Sequence, residues 1–177
     1  MSFSSDVKSE ISKTENISSC CLHAQVYGLV LFAHFSKYNF SITTENTDVF
    51  DLYLSYLKDY CEVNPVISDG GSKKLTAYLK TDEEKSKAFE KFGHTLKEPS
   101  LRINRANISE ECCASAFLRG VFLSCGTVTD PERAYHLEFV VRSSHVVLAV
   151  SMFDTILPLF SVVAHQNYFH RVRALRV

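Results

Sequence analysis

The sequence predicts an α+β fold in which a helix-and-strand unit occurs twice, the second copy being incomplete. One observation is an internal repeat: residues 20–31 align with residues 112–123, 92 positions later, with identities at both cysteines, an alanine, a glycine and the last leucine. The other is that each copy has the pattern of a helix followed by alternating, strand-like residues. An interval of this length is typical of a duplicated half-domain.

Each repeated helix carries a stripe of small side chains at spacing i, i+3 and i+7, which places them on one helix face. Glycine in a helix interior costs about 1 kcal/mol relative to alanine, so its presence at the same place in both copies indicates a close approach. We therefore expect the two helices to pack against each other along these stripes. The predicted contact residues are Cys21, Ala24, Gly28, Cys113, Ala116 and Gly120.

In the first half, strands and helices follow the repeated helix in a predictable order. Residues 38–44 alternate apolar and polar side chains like a strand, and residues 45–60 place apolar side chains on one helical face. Residues 62–80 predict a hairpin that turns at an Asp-Gly-Gly-Ser sequence. A capping box that begins at Thr81 predicts a further helix, which ends at Gly93.

The second half begins the same order but is not expected to complete it. Ser109 is the predicted N-cap of the repeated helix, and residues 127–142 predict a hairpin. Residues 145–177 have a different composition, with three arginines and a single acid, whereas residues 1–144 contain 16 basic and 19 acidic side chains. The expected divisions are a first repeat at residues 1–97, the start of a second repeat at 98–144 and an atypical tail at 145–177.

Composition and charge exclude several classes of protein. Hydrophobic residues make up 46% of the chain and charged residues 22%, which argues against intrinsic disorder, and 19 basic against 20 acidic side chains give no overall basic field. The N-terminal residues lack the pattern of a secretory signal, so we expect an intracellular protein with reduced cysteines. The apolar stretch 145–164 carries Asp154 near its centre and Pro158, which argues against a membrane span.

Three segments carry a resemblance to a known family: residues 1–8, the Cys20–Cys21 pair, and the specific stretch ECCASAFLRGVFLSCGTVTDPERAYHLE that begins at Glu111. Over about residues 1–144 the chain resembles the N-terminal region of the WhiA family. The resemblance implies a duplicated LAGLIDADG homing-endonuclease-like fold. It also implies a bacterial DNA-binding transcription regulator that acts in cell division, the cell cycle and sporulation.

In the WhiA family a C-terminal helix-turn-helix domain follows this region. Only 33 residues follow Ser144, so we expect a truncated form without that domain. The loss of acids after residue 144 suggests that a disrupted reading frame encodes residues 145–177, a hypothesis that the nucleotide sequence would test.

A LAGLIDADG nuclease needs one carboxylate at the end of each motif helix, because these groups hold the divalent metals that activate water. Laying the motif on the two helices places Ala33 and Cys125 at these positions. Neither a methyl group nor a thiol suits a hard cation such as Mg²⁺. We therefore expect no enzyme activity, no catalytic residues and no cofactor, since a residual nuclease would need an acid from elsewhere.

The adjacent cysteine pairs suggest a zinc hypothesis. Structural zinc sites, however, separate paired ligands by two to four residues, and neighbours on a helix point about 100° apart. We therefore expect no metal site and assign Cys21 and Cys113 to packing. Cys125 could be a reactive thiol and His136 with Glu138 an acid–base pair, but a buried small residue and a solvated strand pair are favoured.

The predicted DNA contacts are lysines near the strands of the first half, namely Lys37, Lys73, Lys74 and Lys80. In LAGLIDADG proteins the curved sheet faces DNA, so these side chains would contact phosphates and give salt-sensitive, weakly sequence-selective binding. Lysine on exposed strands also serves solubility and edge protection.

The expected partner is therefore DNA, bound weakly or indirectly by this fragment, in the cytoplasm with the nucleoid and away from membranes. The alternative is a protein-interaction or dimerisation scaffold that captures a protein partner and makes no direct DNA contact.

Overall fold

The computed structural model describes residues 2–15, 18–35, 40–69, 73–97, 103–132, 136–141, 160–164 and 170–174. Within these ranges the helices are α1 (Phe3–Ser12), α2 (Ser19–Phe32), α3 (Thr47–Ser55), α4 (Asp82–Glu90) and α5 (Glu111–Cys125). The strands are β1 (His34–Phe35), β2 (Phe40–Thr44), β3 (Val66–Asp69), β4 (Leu75–Tyr78), β5 (Gly126–Val128), β6 (Leu137–Val141), β7 (Phe160–Ala164) and β8 (His170–Ala174). A π-helical turn, Tyr56–Tyr60, extends α3, and a 3₁₀ turn, Arg105–Ile108, precedes α5.

The strands form two antiparallel sheets of four strands each, with orders β1-β2-β4-β3 and β5-β6-β8-β7. Each repeated helix leads directly into the outer strand of its own sheet, α2 into β1 and α5 into β5. Two sheets with the same strand order are what a duplicated unit produces, so the predicted α+β fold with two copies of a helix-and-strand unit is confirmed.

The second sheet reaches further along the chain than the sequence predicts. Strands β7 and β8 lie in the segment expected to be an atypical tail, and β8 pairs with β6 from Glu138↔Arg173 to Val141↔His170. The expectation that the second repeat stays incomplete after residue 144 therefore differs from the structure. The two segments, FSVVA and HRVRA, contain β-branched valines that favour strands. The disrupted reading frame stays a prediction.

Capping side chains decide where several helices begin. The predicted capping box of α4 is present, since Thr81 Oγ1 accepts from the Glu84 N–H at 3.2 Å and the Glu84 carboxylate accepts from the Thr81 N–H at 3.5 Å. The prediction of Ser109 as the N-cap of α5 is wrong by one residue: Glu110 occupies that position, and its side chain makes no capping hydrogen bond. The extended backbone of Glu110 therefore sets the start of α5.

Helix α1, which no sequence pattern predicted, is held by the N-cap of α3. Asn46 Oδ1 accepts from the Val49 N–H at 3.0 Å, and Asn46 Nδ2 donates to the Ser5 carbonyl at 2.9 Å and to Ser9 Oγ at 3.0 Å. One buried amide thereby caps a helix and fastens a second helix to it.

The two repeated helices cross at their glycines. A Cβ atom on Gly28 would overlap the carbonyl oxygen of Phe117. A Cβ atom on Gly120 would overlap the carbonyl oxygen of Gln25 and lie 2.7 Å from the amide nitrogen of Leu29. The backbones of α2 and α5 are thus in direct contact, which only glycine permits at these two points.

A single hydrophobic core surrounds this crossing and draws on α2, α3, α4, α5 and both sheets. Tyr27 of α2 lies near its centre, packed against Phe92 and Phe117. The Tyr27 hydroxyl accepts from the Asn104 N–H at 2.7 Å and lies 2.9 Å from His94 Nε2, so its polar end is satisfied within the core.

We expect Gly28→Ala and Gly120→Ala each to destabilise the fold by about 2–3 kcal/mol, because the added methyl group must separate two backbones. At an open helix position the same change would stabilise by up to about 1 kcal/mol. The free energy of unfolding from urea titration followed by circular dichroism measures the sign.

The matched control is Ser115→Ala, an exposed change within α5, which should stay within about 0.5 kcal/mol of the natural chain. A stabilising effect of either glycine substitution would show that the helices do not meet at their glycines.

Alkaline pH should weaken the fold through Cys61, which is fully buried. Burial raises the pKa of this thiol from 9.0 to about 12, so between these values the folded chain binds more protons than the unfolded chain and stability falls as pH rises. From pH 8 to pH 10 the natural chain should lose about 1 kcal/mol more stability than Cys61→Ala. Urea midpoints at both pH values measure this difference, and equal losses in the two chains would contradict it.

Candidate nucleic-acid interface

The first sheet has one buried face and one face lined by hydroxyl groups. Ile42 and Ala77 pair across β2 and β4 and are buried, whereas Thr43 and Thr76, the next pair, point to the opposite face. Their Oγ1 atoms lie 3.0 Å apart. Ser41 and Tyr78 form a second pair on this hydroxyl face. Side chains of these types commonly contact phosphate oxygens. The sequence does not predict this hydroxyl face, because it forms only when β2 pairs with β4.

Three of the four predicted DNA-contacting lysines lie at the two ends of β4. Lys73 and Lys74 directly precede the strand and Lys80 follows it, and all three are exposed. Lys37 lies outside the described residues. Because a strand rises about 3.4 Å per residue, Lys74 and Lys80 are about 20 Å apart and flank the hydroxyl face rather than forming one cluster.

Acidic groups lie close to these lysines. The Lys74 ammonium is 4.0 Å from the Glu45 carboxylate, and both side chains are more than half exposed, so the pair is weak. Lys80 precedes α4, whose first turn carries Asp82, Glu83 and Glu84. The local basic field is therefore modest.

The outer strand β3 of the same sheet exposes apolar side chains. Val66 is 36% and Ile67 52% exposed, and β3 pairs with β4 along one side only. Unpaired backbone groups beside exposed apolar side chains are a template for association with another chain.

The C-terminal ends of α2 and α5 are the places where a LAGLIDADG nuclease would carry its acids. Ala33 caps α2, and Cys125 is the last residue of α5. Burial raises the pKa of the Cys125 thiol to about 12, so the group stays neutral near pH 7. Cys125 is accordingly unsuited to act as a nucleophile, in line with the structural role favoured from the sequence.

A lysine from α1 occupies the end of α5. Lys8 Nζ donates to the Leu123 carbonyl oxygen at 3.1 Å and lies 5.7 Å from the centroid of the Phe122 ring. Burial lowers the pKa of Lys8, while the neighbouring Cys125 acts in the opposite direction. A cation at a helix C-terminus complements the helix dipole, and no sequence signal predicted this contact.

The six residues predicted for the helix contact are all buried, in α2 and α5. At the opposite end of the contact from Lys8, the structure brings the two cysteine pairs together: the Sγ atoms of Cys20, Cys21, Cys112 and Cys113 all lie within 4.8 Å of one another. The divergence of adjacent cysteines on one helix therefore does not exclude a metal site. Neighbours on one helix do diverge, but two helices that begin side by side supply thiols to a common centre.

The four thiols influence one another's ionisation. The Ser18 hydroxyl, 3.1 Å from Cys20 Sγ, and hydrogen bonds from the other cysteines lower the pKa of Cys20. Hydrogen bonding with Cys21 raises the pKa of Cys112 to about 12. Without a cation, the cluster thus resists carrying several negative charges at once.

The two sheets share one strand order, and each follows a repeated helix that crosses the other repeated helix at a glycine. These features define a LAGLIDADG-fold domain, the fold class that the sequence predicts. The solved homing endonuclease I-DmoI, in complex with DNA and Ca, has this fold: it superposes on the chain with a TM-score of 0.50 at 16% sequence identity, over 88% of this chain and 83% of that chain.

Within this class, the chain is similar to the WhiA proteins. Residues 114–171 match the family described as the WhiA LAGLIDADG-like domain. A "Probable cell division protein WhiA" of Clostridium botulinum is 34% identical in an alignment that covers 81% of this chain and 50% of that protein. Full-length DUF199/WhiA from Thermatoga maritima matches all of this chain and 58% of its own, with a TM-score of 0.65 at 17% identity.

The chain spans about half the length of the curated relatives it matches. The predicted resemblance to WhiA is confirmed, and these relatives carry the name of a cell division protein rather than that of an enzyme. Among the described residues, none of the helices combines the length and the apolar character that crossing a bilayer requires.

We expect Lys8→Met to destabilise the fold by about 1–2 kcal/mol, because the Leu123 carbonyl loses a charged donor and α5 loses a cation at its C-terminus. The control is Lys13→Met, which removes an exposed cation at the end of α1 and its 3.3 Å pair with Asp48, and which should cost less than about 1 kcal/mol. Chemical denaturation measures both, and equal effects would show that Lys8 contributes no more than a surface lysine.

Proposed function

We propose that the chain is a catalytically inactive LAGLIDADG module that binds DNA as part of a bacterial regulator of cell division and sporulation. The observation that carries the proposal is the α2–α5 crossing with Ala33 and Cys125 at the helix ends: the architecture of a DNA-binding fold is present without the carboxylates that would hold metal.

Catalytic inactivity follows from the charges at the ends of the motif helices. A divalent cation there would need oxygen ligands from both helices. In their place are a methyl group, a neutral thiol and, bound to the end of α5, the ammonium group of Lys8. An ammonium group repels a second cation, so the site opposes metal binding as well as lacking ligands.

DNA binding is supported by the first sheet. Its hydroxyl face offers Ser41, Thr43, Thr76 and Tyr78, and its lysines flank that face at both ends of β4. Lys37 joins this set as a proposal from the sequence alone. I-DmoI, which shares the fold, is solved in complex with DNA. With few lysines and nearby acids, the expected binding is weak, dominated by phosphate contacts and sensitive to salt.

The regulatory role rests on the relatives, which are named probable cell division proteins. Action on transcription and sporulation, and a place with the nucleoid in the cytoplasm, follow from the WhiA resemblance. For the domain limits, we propose a first repeat at residues 1–97 and a second that starts at 98 and includes β7 and β8.

The second candidate function is a protein-interaction scaffold, which the exposed edge strand β3 favours. Val66 and Ile67 lie on an outer strand, where another chain could add by backbone hydrogen bonds. Binding of this kind would require no lysine and would not depend on salt.

We expect Lys73→Gln, Lys74→Gln and Lys80→Gln, combined, to weaken duplex binding and to flatten its salt dependence. Each phosphate contact contributes about 0.9 to the slope of log affinity against log salt, so the triple variant should lose about 2–3 units of slope. Fluorescence anisotropy of a labelled duplex, titrated from low to moderate salt, measures both quantities.

The charge-matched control combines Lys13→Gln, Lys58→Gln and Lys97→Gln, exposed lysines outside the strands, and should keep the slope of the natural chain. Magnesium added to the same mixtures should leave plasmid DNA uncut. No affinity even at low salt would reject DNA contact. Self-association that Ile67→Lys abolishes, seen by sedimentation without DNA, would then favour the scaffold.

A further inference from the structure

The two cysteine pairs occupy equivalent positions in the two repeats. Cys20 and Cys21 are the second and third residues of α2, and Cys112 and Cys113 are the second and third residues of α5. Because the helices lie against each other, the four Sγ atoms converge within 4.8 Å of one another. Two helix starts, each contributing two thiols, thus surround one point.

The spacing of the sulfurs suits a single tetrahedral metal ion. Zinc binds thiolate sulfur at about 2.3 Å, which places the four sulfurs of a tetrahedral site about 3.8 Å apart. Four atoms no more than 4.8 Å apart fit within a sphere of radius about 2.9 Å, so each sulfur needs to move inward by no more than about 0.6 Å to reach zinc distance. A multi-iron cluster would hold its thiolates farther apart, because its own atoms lie between them.

Packing alone does not account for the cluster. Cys21 and Cys113 are buried between the helices, where a small side chain serves the close contact. Cys112 is exposed and Cys20 is half-buried, so neither is required to be small by its neighbours. The exposed side of the cluster also gives an ion a path from solvent.

The dipoles of the two helix starts offset part of the repulsion between neighbouring thiolates. Each helix N-terminus carries the equivalent of about +0.5 elementary charge, and here two of them meet at the same sulfurs. The Ser18 hydroxyl provides a further hydrogen-bond partner to Cys20 Sγ at 3.1 Å. A zinc ion would supply the remaining positive charge that four thiolates need.

We propose that Cys20, Cys21, Cys112 and Cys113 form a tetrahedral thiolate site for one Zn²⁺ ion that joins the first turns of α2 and α5. The ligands bind as thiolates, so each thiol that ionises releases its proton to solvent, and no electron transfer is involved. Sulfur ligands in this geometry select zinc over Mg²⁺ or Ca²⁺. The site is structural, and it does not depend on whether the chain binds DNA.

The test uses the full chain, purified with reductant. Metal content by mass spectrometry of the purified protein should give one zinc per chain. After removal of zinc, titration with Co²⁺ should produce the charge-transfer and visible absorption of a tetrahedral cobalt–thiolate site, saturating at one equivalent and displaced by zinc. Added zinc should also raise the melting temperature, because it binds the folded chain.

Cys112→Ala and Cys20→Ala should each abolish the tetrahedral cobalt spectrum and the thermal shift. Cys112 is exposed, so its removal leaves the packing intact, and circular dichroism checks that the variant folds. The matched control is Cys125→Ala, at the other end of α5, which should bind cobalt and zinc like the natural chain.

Each outcome decides the proposal. Stoichiometric zinc that depends on Cys20 and Cys112 but not on Cys125 supports it. A reduced chain that binds neither ion, or binding that survives both cluster substitutions, overturns it. A disulfide between the helices, seen as the loss of two hydrogens in the intact mass of protein purified with reductant, also overturns it.

Discussion

The contact of the α2 and α5 backbones at Gly28 and Gly120 is the constraint on which the other features of this chain depend. Because the helices meet at this crossing, their first turns lie side by side. The first turns gather four cysteines, and the last turns lead into the outer strands of two sheets. Larger side chains at the crossing would separate the helices and disperse both ends.

The same geometry supports different chemistry at its two ends. At the C-terminal end, where a nuclease of this fold would hold divalent metal with oxygen ligands, a lysine caps α5 and a neutral thiol lies beside it. At the N-terminal end, sulfur ligands converge. Hard cations are therefore disfavoured at the first end, whereas the second end has the sulfur ligands that the proposed zinc ion requires.

Much of the fold follows from local patterns in the sequence. The small-residue stripes with Gly28 and Gly120 indicate a helix pair, and the capping box at Thr81 marks α4 because both depend on residues close in the chain. Features that depend on distant partners do not follow: Lys8 meets Leu123 only after folding, and Cys20 meets Cys112 only because the helices align. The charge composition of residues 145–177 does not predict β7 and β8, because strand formation depends on alternation and β-branched residues rather than on net charge.

Helix α1 is synthesised well before its partners in the second repeat, so it completes its contacts late. Its ten residues are too few to stay helical alone. The first partner along the chain that stabilises α1 is Asn46, whose side-chain amide donates to the Ser5 carbonyl. The hydrogen bond from Lys8 Nζ to the Leu123 carbonyl oxygen spans 115 positions. The hydrogen bond that the Val128 N–H donates to Ser4 Oγ spans 124 positions. At about 5–20 residues per second, a ribosome needs roughly 6–25 seconds to synthesise the residues between Ser4 and Val128. The contacts of α1 with the second repeat therefore form only after the residues up to Val128 have been synthesised.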